Sequence, residues 1–66
     1  MNITLNGIAR QEQGGISLSE LIASLGQSPQ GLATAVNQEF VPRDQRVHCI
    51  LQDGDSVTTF QPITGG

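Results

Sequence analysis

Lysine, tryptophan and tyrosine are absent from this sequence, and cysteine occurs once in 66 residues. Each absence removes a class of function. The basic side chains are Arg10, Arg43 and Arg46, and against six carboxylates they leave a net charge of −3. Phosphate backbones are held by clustered Lys and Arg that release counterions, so no nucleic-acid partner is expected. Without lysine, the chain cannot itself be extended through isopeptide bonds on its side chains. A lone Cys49 excludes an internal disulfide and gives no sign of an oxidising compartment. Long apolar runs are missing too, and the first residues, MNITLNG, carry no basic segment. No signal peptide, membrane span or membrane partner is therefore expected, and the expected location is the cytoplasm. Aromatic residues are reduced to Phe40 and Phe60.

What remains is short but patterned. A chain of this size buries only about 60% of its unfolded surface, which leaves little room for a deep cavity beside a core. One domain over 1–66 is expected, and the 36% of apolar residues are spaced periodically, as folding requires. Nothing has the spacing of a catalytic pair, and no phosphate-cradling loop opens a helix, so the chain is not expected to be an enzyme. Val47 to Leu51 reads as a short strand, in which the neighbours His48 and Cys49 point to opposite faces and cannot act as nucleophile and base. Cys49 then reads as a small buried hydrophobe. Asp53-Gly54-Asp55 supplies too few ligands for a calcium loop and reads as turn chemistry, with no metal and no cofactor bound by this chain.

Taken in order, residues 2–6 alternate with Ile3 and Leu5 on one face, as a half-buried strand does. Asn6-Gly7 is the strongest short hairpin signal, because a type I′ turn needs positive φ at both positions. Ile8 to Glu12 is the returning strand, ended by Gln13-Gly14-Gly15. Ser17 and Glu20 form a capping box ahead of the stripe Leu18, Leu21, Ile22 and Leu25, and Gly26 sits where a left-handed C-terminal cap belongs. Ser28 to Gly31 is a loop, Leu32 to Asn37 a strand, and Phe40-Val41-Pro42 an extended piece. Arg43 to Arg46 is turn-like, Asp53-Gly54 a tight turn, and Ser56 to Gln61 the last strand. The implied fold is α+β: a β-grasp arrangement, with a mixed sheet of four to five strands and one main helix packed on one face. In that arrangement the last strand lies in the centre of the sheet. If Val57 faces the helix, Phe60 faces away and offers a docking contact, with Phe40 as a second.

The stretch that organises this reading is FQPITGG at the end of the sequence. Pro62 has no N–H to give a ladder, so pairing is expected to stop there and release a flexible tail over 62–66. Five extended residues reach roughly 16–18 Å, enough to enter another protein's active site. Gly65 and Gly66 lack Cβ atoms and can thread a narrow channel, with Ile63 and Thr64 following. A carboxylate resists nucleophilic attack until a partner converts it to an acyl-adenylate. Gly66 is thus the residue expected to be modified, and the rest of the chain its handle.

The NG hairpin, the stretch AVNQEFVPRDQ and the run LQDGDSV with the final GG resemble one family: the ubiquitin-like sulfur carriers, of the ThiS type used to make the thiazole of thiamine. The resemblance covers the whole chain, and Asn37, Val41, Pro42 and Arg43 fall at its signature positions. It implies a carrier without catalysis of its own. A ThiF-like adenylating enzyme uses ATP on Gly66, a persulfide donor supplies sulfur, and the thiocarboxylate passes it to a ThiG-like thiazole synthase. A monomer is expected when free. Pro62 and Thr64 depart from the aliphatic residues more usual in the family's tail. A carrier for molybdopterin or another sulfur pathway, and a ubiquitin-like modifier joined to lysines of other proteins, are the alternatives. An adaptor docking through Phe40 and Phe60 is a third.

Overall fold

The computed structural model describes residues 1–26 and 31–60. The tail expected over 62–66, and most of the loop expected at Ser28 to Gly31, lie outside the described residues. The elements run β1 (Asn2–Leu5), β2 (Ile8–Gln11), α1 (Leu18–Ser24), β3 (Ala33–Val36), β4 (Glu39–Val41), a 3-10 helix (Arg43–His48) and β5 (Ser56–Phe60). The five strands form one mixed sheet in the order β2-β1-β5-β3-β4. β1 and β5 pair in parallel, and the other neighbours are antiparallel. This is the β-grasp arrangement read from the sequence, with the last strand at the centre.

Local chemistry sets most of these elements. Asn6 and Gly7 take φ of 53° and 83°, the left-handed pair that closes a two-residue hairpin between Leu5 and Ile8. The capping box forms as the sequence predicts. The Ser17 hydroxyl accepts from the Glu20 N–H at 3.1 Å, and the Ser17 N–H donates to the Glu20 carboxylate at 3.3 Å. Gly26, at φ 72°, follows the last turn of α1 in the expected left-handed conformation. Leu18, Leu21 and Ile22 of the stripe are buried, together with Ile3, Leu32, Leu51 and Val57, and Leu25 packs against them.

A second hairpin is not marked by an Asn-Gly pair. Asn37 and Gln38, at φ of 52° and 70°, connect Val36 to Glu39. Glutamine is seldom held there, because its Cβ crowds the backbone. Tertiary bonds fix the turn instead. The Asn37 side chain accepts from the Ser56 N–H and donates to Asp55, both at 3.0 Å, while its own N–H donates to the Ser56 carbonyl at 2.7 Å.

The strand expected over Val47 to Leu51 does not form. Arg43–His48 winds into the 3-10 helix, and only Ile50 bridges, to Ser17. Leu18 N–H donates to the Cys49 carbonyl and Leu51 N–H to the Ile16 carbonyl, so this segment ties down the entry to α1 rather than joining the sheet. Arg46 explains the winding. It is only 4% exposed, and its guanidinium donates to Thr34 Oγ1 at 3.0 Å and to the Leu32 carbonyl. These bonds tie the 3-10 helix to Leu32 and to Thr34 of β3, and such tertiary contacts override the β preference of Val47 and Ile50.

Candidate functional site

One face of the sheet is filled by α1, the 3-10 helix and the core. The alternation along β5 follows from that. Val57 is fully buried and pairs with Leu5 and Val36, so side chains two residues away share its face. Phe60 has the opposite parity and stands on the open face, 54% exposed. The register then brings the other aromatic to the same side. Phe60 lies opposite Ala33, and Ala35 lies opposite Phe40, which is 68% exposed. Ala33 and Ala35 are two residues apart on β3, so all four side chains share the open face. The two rings stand on strands flanking β3, with backbones roughly 12 Å apart, estimated from two strand spacings and a two-residue offset. The alanines between them leave a shallow floor.

This face adjoins the root of the terminal segment. Phe60 is the last described residue of the central strand, and the sequence continues QPITGG. Gly66, Gly65, Thr64, Ile63 and Pro62 lie outside the described residues.

Other residues noted from the sequence have structural work. Asp53 accepts from the Asn2 N–H at 2.6 Å, and Asp55 accepts from the Gln52 N–H at 2.8 Å, so both carboxylates serve the turn around Gly54. Among the described residues, no three His, Cys, Asp or Glu side chains converge as metal ligands. Val41 packs against the core, Pro42 caps the 3-10 helix, and Arg43 begins it on the surface. His48 ends that helix and Cys49 follows it, so the opposite-face geometry expected of a strand does not apply. Partial burial pushes the Cys49 thiol up, and the Asp55 carboxylate adds to the rise. A thiol that stays protonated is a weak nucleophile. The role of Arg46 is absent from the sequence reading, and no local signal marks it, because its partners lie 12 and 14 positions away. No helix among the described residues is long and apolar enough to cross a membrane.

Comparison with known proteins is consistent across sequence and structure. The ThiS family model matches residues 3–66. The sulfur carrier protein ThiS of Escherichia coli (strain K12) is 44% identical over 66 residues, covering all of both chains. The crystal structure of the thiamine biosynthesis protein ThiS from Geobacter metallireducens is similar with a TM-score of 0.86, covering all of both chains at 26% identity. A solution structure of a thiamine biosynthesis protein from the same organism gives 0.81 at 26% identity, covering all of this chain and 88% of that one.

Proposed function

The chain belongs to the ThiS family, and as a sulfur carrier of thiamine biosynthesis we propose that it holds its sulfur as a thiocarboxylate on Gly66. The observation that carries this reading is that the family match runs from residue 3 through residue 66. In the first step a ThiF-like enzyme joins the Gly66 carboxylate to ATP, forming an acyl-adenylate and releasing pyrophosphate. A persulfide anion on a donor then attacks the acyl carbon and expels AMP. A second thiol reduces the resulting acyl disulfide, leaving the thiocarboxylate on Gly66 and a disulfide on the donor. The sulfur stays nucleophilic and bound until a ThiG-like thiazole synthase takes it up, so no free sulfide is released.

In this reading the chain supplies position rather than catalysis. Phe40 and Phe60 dock on the partner, Ile63, Thr64 and Gly65 thread its channel, and Gly66 reacts. ATP is the partner's substrate, and the setting is the cytoplasm. Intact mass of the chain, incubated with the activating enzyme, ATP and a persulfide donor, tests the chemistry. The expected gain equals the exchange of one oxygen for sulfur, located by fragmentation at Gly66. No gain, with an activating enzyme competent on its own carrier, rejects the reading.

Docking is tested separately. Phe40→Ala and Phe60→Ala are each expected to raise the carrier's KM about tenfold or more, because exposed aromatic anchors dominate such contacts. Their thermal stability should stay within about 0.5 kcal/mol of the parent, since neither ring belongs to the core. An unchanged KM in both variants removes the open face from the interface.

A further inference from the structure

Asn6 has a side chain that the hairpin turn does not need. A left-handed residue at that position could equally be glycine. The ladder between β1 and β5 explains what the side chain adds. Parallel pairing runs through Thr4 with Ser56 and Leu5 with Val57, and the Asn6 N–H donates to the Val57 carbonyl at 2.8 Å. There the chain turns away into β2. Residues 57 and 59 point their backbone groups toward β1, whereas 56, 58 and 60 point toward β3. Thr59 would therefore face an edge from which β1 has departed. The Asn6 side chain fills that place. Its Oδ1 accepts from the Thr59 N–H at 2.9 Å, and its Nδ2 donates to Thr59 Oγ1 at 3.0 Å. One side chain thus extends the ladder by a rung and grips Thr59 at two points, across 53 positions of sequence.

The grip lies next to Phe60, where the segment leading to Gly66 begins. β3 holds this end of β5 on one side, through Thr34 with Thr59 and Ala33 with Phe60. Asn6 holds it on the other. We infer that Asn6 is a positioning residue for the carrier reaction: it fixes the root of residues 61–66 relative to the docking face, so that a segment of set length delivers Gly66 to the partner's reacting groups. The inference rests on the Gly66 thiocarboxylate reading. Loss of the grip leaves Thr59 and Phe60 paired on β3 alone. The cost falls on the fraction of docked complexes aligned for reaction, and therefore on kcat more than on KM.

Two substitutions separate this role from the turn. Asn6→Gly keeps the positive φ and deletes the grip. Asn6→Asp tolerates the same φ and keeps it, because its carboxylate accepts from the Thr59 N–H and from the Thr59 hydroxyl, which reverses as donor. Thiocarboxylate formation is followed at saturating carrier, well below the melting temperature of every variant, and amide exchange at Thr59 is read in parallel. Asn6→Gly is expected to lower kcat about three- to tenfold with a smaller change in KM, and to speed Thr59 exchange by a similar factor. Asn6→Asp is expected to restore most of both. Unchanged kcat in Asn6→Gly, or equal loss in Asn6→Asp, overturns the positioning role while the carrier chemistry stands. Failure of the parent chain to gain sulfur, beside an enzyme competent on its own carrier, overturns the Gly66 reading and this inference with it.

Discussion

Adding one residue after Gly66 is expected to lower sulfur loading by more than about a hundredfold, with no change in folding. The insertion shifts the terminal carboxylate by about 3.3–3.6 Å, and displacements near 1 Å already cost about that factor at a reacting centre. Removal of Gly65 and Gly66 together is expected to abolish loading. Replacement of Gly66 by alanine tests the narrower point that a Cβ next to the carboxylate obstructs the channel. Folding should survive all three changes, because the core cluster among the described residues runs from Ile3 to Val57. The measurement is the fraction of sulfur-loaded chain by intact mass, with thermal unfolding of each variant as control. Undiminished loading of the extended chain would falsify the assignment of Gly66.

The second large effect concerns stability. Arg46→Met is expected to destabilise the domain by about 2–4 kcal/mol, because it strips donors from the buried Leu32 carbonyl and Thr34 hydroxyl. Thr34 in turn donates to the Val41 carbonyl at 3.1 Å, so the loss spreads from the 3-10 helix through β3 to β4. Domains of this length have only about 3–10 kcal/mol in total, so the melting temperature should fall by at least about 10 °C. Arg46→Lys is expected to recover little, since an ammonium cannot reproduce the planar fork that reaches two acceptors at once. Chemical denaturation of the three proteins decides it. A Met variant within about 0.5 kcal/mol of the parent leaves Arg46 without its structural role.

These two residues mark how far the sequence could be read. The proposal for Gly66 draws on local chemistry alone: a carboxylate, two residues without Cβ atoms, and a proline without an N–H. The capping box of Ser17 and Glu20, the stripe of α1 and the Asn6-Gly7 turn are legible because each acts within a few positions. The parity of Phe60 against Val57 also follows from the two-residue repeat of a strand. Arg46 was hidden, and so was the 3-10 helix it commands. Arg43 to Arg46 reads as a polar turn and Val47 to Leu51 as a strand, because the partners of Arg46 at Thr34 and Leu32 are distant in sequence.

The sequence by itself determined the Asn6-Gly7 hairpin, the capped helix and the alternation along the last strand, because short-range sterics and hydrophobic period dictate them. Tertiary structure decided the rest. It brought Phe40 onto the same open face as Phe60, since only the β4-β3-β5 register sets which distant residues stand side by side. It held Gln38 at positive φ beside the bonds of Asn37, and it turned the side chain of Asn6 into a rung for Thr59. In each case the partner lies far along the chain, and the free energy that fixes the contact exists only once the sheet has closed.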